Sequence, residues 1–317
     1  MKFIDLHCDT ILGCHRGGYG LAENGGHIDV RKLKAGHALA QFFAIFISPG
    51  PDGGLNPKSY EFFNDVYEKT YLPEIEKNPE LAHAYCYDDI IKNEAEGKIS
   101  SILTIEDSVP LEGRIERVDE FYKKGVRLMT LTWNYENSLG FPSSMDPELA
   151  KKGLKDFGVE AVIRMQELGI IVDVSHLNEG GFWDVVKYAK KPFVASHSCA
   201  RALCNHQRDL WDDQLRALAK NGGMVGLNFL SAFLTENSNE TTIARCMEHI
   251  VHIANVAGVD SVGFGSDFDG IGDCKLEFGD YAGMPMLADA LGKHFSAAEV
   301  DKICYGNALR VIRESMK

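Results

Sequence analysis

Six side chains that can bind metal ions occur along this sequence, each at or just after a short apolar run. They are three histidines and three carboxylates: His7, Asp9, Glu106, His176, His197 and Asp267. The first two follow the apolar run 2–6, and their i, i+2 spacing places both side chains on one face of a strand. Imidazole nitrogens and carboxylate oxygens are ligands of Zn²⁺ and similar divalent ions. These residue types therefore predict a metal centre, if the fold brings them together.

Each of these residues also has an ordinary interpretation. His7 and Asp9 alone could belong to a surface loop, Glu106 beside Asp107 to a solvated turn, and Asp267 or Asp269 to a helix N-cap. A single histidine after a strand is more often a loop residue than a ligand. Six residues of these types at the ends of five different strands are much harder to explain by chance, and this favours the metal centre.

The elements that must position these residues alternate between strands and helices. The predicted strands are 2–6, 38–47, 99–105, 126–132, 169–175, 192–196, 223–229 and 261–266. The predicted helices are 58–77, 115–124, 151–168, 179–189, 211–221 and 241–257, with short C-terminal helices at 296–303 and 306–316. This alternation predicts a parallel sheet, and eight such units predict a closed (β/α)8 barrel (TIM barrel) forming a single domain over residues 1–317. The alternative is a doubly wound sheet, but no Gly-x-Gly-x-x-Gly motif follows the first strand.

Two segments are predicted as long loops. Residues 10–37 are rich in glycine, and this loop is longer than a barrel needs, so it either covers the site or is mobile without a role. Residues 48–57 form the second loop. In a barrel, the carboxyl ends of the strands and the loops that follow them meet on one face, where barrel enzymes have their active sites.

Composition excludes several other classes of protein. The net charge is −13 with no stripe of Lys or Arg, so nucleic acid is not expected as a partner. No run of about 18 apolar residues and no secretory signal pattern is present, so we expect no membrane association. The eight cysteines are scattered and include no Cys-x-x-Cys pair, which favours reduced thiols and a cytoplasmic location. Cys8 points away from His7 and Asp9 by strand alternation and is interpreted as a buried thiol.

Several motifs together resemble the membrane (renal-type) dipeptidase family, peptidase family M19, within the amidohydrolase superfamily. They are His7-Cys8-Asp9, Glu106, Val174-Ser175-His176, Ser196-His197-Ser198, Ser266-Asp267-Phe268-Asp269-Gly270 and the segment 198–213. The resemblance extends in matching order from residue 1 to about 312. It implies a zinc-dependent dipeptidase that hydrolyses short peptides with a free carboxylate, including those with a carboxyl-terminal D-residue.

The resemblance also implies roles for individual residues. Two Zn²⁺ ions are expected per chain, one bound by His7, Asp9 and Glu106 and the other by Glu106, His176 and His197, with a bridging water or hydroxide. Asp267 would hold that water and move its proton, so that the hydroxide attacks the peptide carbonyl. Arg208 would bind the substrate carboxylate, although a salt bridge to Asp209, Asp212 or Asp213 is the alternative for this side chain. The oligomeric state is left open, with a homodimer as one possibility.

The sequence departs from the family pattern after the fourth predicted strand. Where well-studied members have a histidine that contacts the substrate, this chain has Trp133, which cannot accept a proton. Asn134 or Tyr135 is expected to supply the substrate-binding group instead, with Asn137 as a further candidate. After the seventh strand, Leu230 stands where some members place a tyrosine.

The departures leave two alternative functions open. One is hydrolysis of another amide, a lactam or an ester at the same metal centre. The other is a metal-binding barrel without catalysis, against which the retention of all six site residues argues. Asp5, which shares its strand face with His7, either orients a ligand or is a carboxylate inside the barrel with a backbone partner.

Overall fold

The structure, a computed structural model, describes residues 1–50, 52–236 and 238–317. Its strands are β1 (Phe3–Asp5), β2 (Ala38–Phe46), β3 (Leu81–His83), β4 (Ile99–Glu106), β5 (Val126–Thr130), β6 (Ile171–Asp173), β7 (Val194–Ser198), β8 (Met224–Leu227), β9 (Glu240–Thr241), β10 (Val262–Phe264) and β11 (Lys275–Leu276). The main sheet has the order β2-β1-β10-β8-β7-β6-β5-β4-β3, and all its strands are parallel.

The sheet closes on itself because β2 also pairs with β4, over seven residue pairs from Ala40–Ser100 to Phe46–Glu106. Eight strands therefore form a closed parallel barrel, while β3 only lies beside the start of β4. This confirms the predicted (β/α)8 barrel. The small pair β9–β11 stands apart from it.

The helices are α1 (Thr10–Gly17), α2 (Val30–Ala35), α3 (Ser59–Val66), α4 (Leu72–Lys77), α5 (Tyr87–Ala95), α6 (Glu116–Lys123), α7 (Pro147–Ala150), α8 (Asp156–Leu168), α9 (Glu179–Tyr188), α10 (Asp212–Lys220), α11 (Ser231–Leu234), α12 (Ile243–Ala257), α13 (Met284–Leu291), α14 (Ala297–Asp301) and α15 (Asn307–Ser315). Helices α3 and α4 are joined by a π-helical turn, as are α14 and α15. No helix in the described part of the chain is both long enough and apolar enough to cross a membrane.

The prediction of a loop over residues 10–37 is wrong, because this segment contains α1 and α2. The glycines are misleading here. Gly13 and Gly17 lie in α1, where a Cβ atom at either position would come within about 2.4 Å of the Tyr19 side chain. Small residues therefore make room for an aromatic ring, rather than marking an irregular backbone. The loop predicted at 48–57 has no helix or strand among its described residues, and Pro51 lies outside them.

Several predicted boundaries also differ from the structure. The strands predicted at 126–132 and 169–175 end at Thr130 and Asp173, because the residues that follow turn towards the site. The strand predicted at 192–196 extends instead to Ser198 and includes His197. The helix predicted at 151–168 begins only at Asp156, and α5 and α13 were not predicted.

The C-terminal helix closes one end of the barrel. Side chains near the strand starts, such as Leu39, Ile171 and Met224, form a buried apolar cluster with Val311 and Ile312 of α15. Burial of this apolar surface leaves the opposite end of the barrel, where the strands finish, free for polar side chains.

Candidate metal centre

Glu106 lies at the middle of a cluster formed by the predicted metal-binding residues. Its Oε1 is 2.9 Å from Nε2 of His176 and 3.6 Å from Nε2 of His197, while its Oε2 is 3.5 Å from Nε2 of His7. Asp9 Oδ2 is 3.6 Å from the same His7 nitrogen. The two oxygens of one carboxylate therefore face two different sets of nitrogen and oxygen atoms. A bridging carboxylate between two cations requires this arrangement.

Asp267 completes the cluster from the end of β10. Its Oδ1 is 3.9 Å from His7 Nε2, and its Oδ2 accepts a hydrogen bond of 2.8 Å from Asn228 Nδ2. One oxygen is thus held by an amide, and the other faces the cluster. Compact sets of possible ligand atoms are His7, Glu106 and His197, and separately His7, Asp9 and Asp267.

The backbone around these residues is unusual. His176, Asp267 and Asp269 all have positive φ angles, +66°, +60° and +67°, which side-chain-bearing residues rarely adopt. No helix begins at Asp267, so its alternative role as an N-cap is excluded. Gly270 lies directly against these carboxylates. A Cβ atom at this position would lie 2.2 Å from Asp9 Oδ2 and 2.3 Å from Asp267 Oδ1.

Buried aspartates hold the strand ends that carry the site. Asp173 accepts hydrogen bonds from the backbone N–H groups of Ser175 and Ser196 and from the Ser196 hydroxyl. The Ser196 hydroxyl also lies 2.7 Å from His197 Nδ1, which leaves Nε2 of that ring directed at Glu106. Such outer contacts fix the orientation of a metal-ligating imidazole.

Asp5, like Asp173, holds neighbouring strand ends by hydrogen bonds, on the other side of the barrel. It accepts hydrogen bonds from the backbone N–H and hydroxyl of Ser266, next to Asp267, and from the Gln41 side chain. It is therefore a buried carboxylate inside the barrel with a backbone partner, which is the second of the two interpretations given in the sequence analysis. Cys8 is also buried, and its thiol donates to the carbonyl oxygen of Phe42, away from the cluster.

The charge states of the cluster suit cations. Burial, with Asp9 nearby, raises the pKa of Glu106 to about 8, and burial raises the pKa of Asp267 to about 7. Burial lowers the pKa of His176 and His197 well below the ordinary value, so both rings are neutral. The pKa of His7 is raised well above its ordinary value, because the charges of Glu106 and Asp9 outweigh the effect of burial. Positive charge is thus favoured between these carboxylates, and a bound cation would supply it.

Unpartnered polar atoms test whether a metal ion fits. Both ring nitrogens of His7 and Oδ1 of Asp9 are buried without a hydrogen-bond partner among the described residues. A buried polar group without a partner is destabilising by about 1–3 kcal/mol. His7 Nε2 faces three carboxylates, so a divalent ion bound by these groups would satisfy it, and the donor set fits zinc.

A cavity of about 570 Å³ opens above the cluster. Its polar wall includes Asp9, Glu106, His176, Asp267, Arg208 and Arg16. Its apolar wall includes Leu12, Phe46, Trp133, Leu230 and Phe233. This size suits a small molecule rather than a folded protein segment.

Arg208 reaches this cavity from the segment after β7. It is buried, its Nη2 donates to the carbonyl oxygen of His197, and its Nε has no hydrogen-bond partner in the described part of the chain. None of the three aspartates considered as salt-bridge partners pairs with it among these residues, and Asp212 pairs with His252 and Arg216 instead. The guanidinium therefore keeps donors for a ligand.

The residues that could replace the family histidine occupy different positions. Trp133 lines the cavity and packs against Phe46, with 4.9 Å between ring centroids. Asn134 also lines the cavity, and its Oδ1 lies 3.1 Å from His176 Nδ1. Tyr135 lies against Trp133 and is not part of the cavity wall. The Asn137 amide donates to Asp107 and to a carbonyl oxygen within its own loop.

Sequence reasoning missed Asn228 and Asp173 as residues that shape the site, and it named Gly270 only as part of a motif. Asn228 and Asp173 act through hydrogen bonds to neighbouring strands, which no spacing in the sequence reveals. Asp173 has a weak signal in the sequence, because it is a carboxylate within an otherwise apolar run. Its side chain is buried and does not line the cavity.

The fold and the site together define a class, the barrel enzymes whose metal-binding side chains converge at the carboxyl ends of the strands. Within that class, the model of the membrane dipeptidase family (peptidase family M19) matches residues 1–317, and the chain belongs to this family. It is a metallo-dipeptidase of the family, as the resemblance predicted.

Individual relatives agree with this assignment. An uncharacterized dipeptidase of Schizosaccharomyces pombe is 32% identical over 310 residues, which cover 92% of this chain and 74% of the relative. The crystal structure of dipeptidase AC, a metallopeptidase of family M19, superimposes with a TM-score of 0.90 at 26% identity, covering 100% and 99% of the two chains. A Rhodobacter sphaeroides metallopeptidase bound to a phosphinate mimic of L-Ala-D-Ala gives a TM-score of 0.89 at 26% identity, covering 99% of each chain.

Proposed function

We propose that this dipeptidase cleaves dipeptides with the help of two zinc ions that share Glu106. His7 and Asp9 would hold one ion with Glu106 Oε2, and His176 and His197 would hold the other with Glu106 Oε1. The observation that carries this proposal is the division of the two Glu106 oxygens between two sets of ligand atoms. Bound zinc ions lower the pKa of water and polarise a carbonyl oxygen.

Asp267 is proposed as the group that moves protons. Its Oδ2 is fixed by Asn228, while Oδ1 faces the cluster and the cavity. In this position the carboxylate accepts a proton from the attacking water and delivers it to the leaving amine. The hydrogen bond from Asn228 keeps the carboxylate from rotating between these two steps.

Arg208 is proposed to bind the terminal carboxylate of the substrate. Its guanidinium is buried, lines the cavity and retains an unpartnered Nε, so it can form a charge-assisted pair with a carboxylate. This contact would place the peptide bond next to the terminal carboxylate at the cluster. Asn134, whose Oδ1 lies 3.1 Å from His176 Nδ1, would contact the substrate as well.

The Rhodobacter sphaeroides relative was crystallised with a mimic of L-Ala-D-Ala. We extend this to the present chain as a proposal: it accepts a D-residue at the carboxyl-terminal position. A panel of L,L- and L,D-dipeptides, assayed beside N-acyl amino acids, lactams and esters, separates this function from the alternative hydrolases.

The substitution Asp267→Asn tests the proton role. We expect kcat to fall by about 10²–10⁴-fold, the usual contribution of general acid–base catalysis, while zinc content stays at the wild-type level. Asp273→Asn, an exposed aspartate in the same region of the chain, is the control and should retain activity. Turnover of Asp267→Asn within threefold of the wild type would exclude this role.

A further inference from the structure

Arg16 is a second cationic side chain at the active-site cavity, and neither the family assignment nor the proposed mechanism uses it. It lies in the last turn of α1, is exposed, and lines the cavity wall. Its Nη2 donates to the hydroxyl of Ser48, a buried residue just after β2. This contact directs the guanidinium along the rim of the cavity.

Arg16 has no carboxylate partner within the described residues. Other cations nearby are paired: Arg31 with Glu23, and Lys77 with Glu74. Asp269, which shares the cavity wall with Arg16, accepts hydrogen bonds from His27 and Thr10 instead. The guanidinium of Arg16 is thus available to an anion that enters the cavity.

The barrel order places Arg16 across the cavity from Arg208. Ser48 follows β2 and Arg208 follows β7, and these strands are four positions apart in either direction around the eight-stranded barrel. The metal-binding cluster lies between them: His7 follows β1 and Glu106 ends β4, the two neighbours of β2, while His176 follows β6 and His197 lies in β7. A small molecule that extends across the cluster therefore meets one guanidinium at each end.

A simple dipeptide provides an anion for only one of these ends. With its terminal carboxylate on Arg208, the first residue extends across the cluster towards Arg16. The free amino group of that residue is a cation, which Arg16 repels and Asp9 or Asp269 attracts. An anion for Arg16 must then come from the side chain of the first residue.

We infer that Arg16 gives this enzyme a preference for dipeptides with aspartate or glutamate at the amino-terminal position. The inference rests on the proposed function, in which Arg208 holds the terminal carboxylate. The side-chain carboxylate pairs with Arg16, while the methylene groups of the side chain pass the apolar wall at Leu12 and Phe46.

The test compares L-Glu-L-Ala with its neutral isostere L-Gln-L-Ala. We expect zinc-loaded wild-type enzyme to show a kcat/KM about two- to fivefold higher for Glu-Ala, in line with an exposed charge-assisted pair. Arg16→Gln should bring the ratio of the two kcat/KM values to about one. Arg31→Gln, which removes an exposed arginine that already has a partner, should keep the wild-type ratio.

A wild-type ratio near one, or a ratio that Arg16→Gln leaves unchanged, would overturn the inference. Arg16→Glu provides a second variant, and it should favour Lys-Ala over Glu-Ala. Binding of the phosphinate analogues of Glu-Ala and Gln-Ala, measured by calorimetry, gives a readout independent of turnover. If no dipeptide is hydrolysed, the proposed function fails, but the ratio of the two dissociation constants still decides the role of Arg16.

Discussion

At the scale of single residues, Glu106 determines how the site is divided. Its two oxygens face His7 on one side and His176 and His197 on the other. The carboxylate is buried, and without cations its charge would be costly, which is why its pKa rises to about 8. One buried carboxylate can therefore hold the two cations that we propose, and they would in turn keep it ionised.

Gly270 makes room for this arrangement, and its substitution gives a first prediction. In Gly270→Ala the new Cβ would collide with the carboxylates of Asp9 and Asp267, which must move apart. We expect zinc content to fall below that of the wild type and kcat/KM for dipeptides to fall by at least about 10²-fold, because misplaced catalytic groups lose activity steeply.

Gly25→Ala is the matched control for this substitution. A Cβ at Gly25 meets no atom within 4 Å, and its backbone has no positive φ angle. It should retain both zinc and activity. Wild-type metal content and turnover in Gly270→Ala would show that the two carboxylates are not fixed as the structure places them.

Residue chemistry explains why the predicted site residues could be found in the sequence. His7, Asp9 and Glu106 carry groups whose ability to bind metal depends on the side chain itself. Asn228 and Gly270 act only through neighbours that folding brings to them, a hydrogen bond to Asp267 and a close approach to two carboxylates. Those neighbours are 39 residues away in the first case, so spacing carries no signal.

At the scale of elements, the turn after each strand determines the orientation of the site residues more than the strand itself does. The strands β6 and β10 are short, and the residues after them adopt positive φ angles that direct His176 and Asp267 back over the barrel. Sequence patterns predicted where these strands begin, but extended them too far. Apolar residues such as Val174 continue beyond the end of the strand at Asp173 because they are buried in the turn.

The wrong prediction for residues 10–37 has a related cause. Glycine in a helix is usually unfavourable, so a segment with many glycines is typical of a loop. In α1 the cost is offset because Tyr19 packs over Gly13 and Gly17, and burial of Ile11 and Cys14 stabilises the helix. The tertiary contact that decides the matter is invisible in a single segment of sequence.

Helix α12 carries a buried histidine that links the segment after β7 to the end of α11. His249 accepts a hydrogen bond from the Ala200 backbone N–H at Nδ1 and lies 3.1 Å from the Leu234 carbonyl oxygen at Nε2. Only the neutral ring can make both contacts. Burial lowers the pKa of His249 to about 4.

This pKa predicts a pH dependence of stability. A histidine with a folded-state pKa below the unfolded value of about 6.5 contributes fully above that value, and the contribution is lost as pH falls from 6.5 to 4. We expect His249 alone to reduce the free energy of unfolding by about 3 kcal/mol over this range. Urea unfolding of chelator-treated protein at several pH values measures it.

The variant His249→Gln should be less stable at pH 7 but should lose less stability between pH 6.5 and 4 than the wild type. His294→Gln, at an exposed histidine, is the control and should follow the wild-type curve. Parallel curves for His249→Gln and the wild type would contradict a buried neutral histidine at this position.

At the scale of the whole molecule, closure of the barrel is what assembles the site. Pairing of β2 with β4 brings the ends of β1 and β4 together, although His7 and Glu106 are far apart in sequence. The alternation of strands and helices was sufficient to predict this architecture, because eight parallel strands with crossover helices have few other ways to bury their apolar faces. The additional strands β9 and β11 have two residues each, which is too short to produce a pattern.

The metal content of the purified protein tests the central claim most directly. After removal of metal with a chelator, reconstitution with zinc and desalting, elemental analysis should give close to two zinc ions per chain, and Glu106→Gln should bind fewer because both ions share that carboxylate. Wild-type protein that retains no zinc, or that binds only one ion with the same content in Glu106→Gln, would contradict a centre of two ions bridged by Glu106.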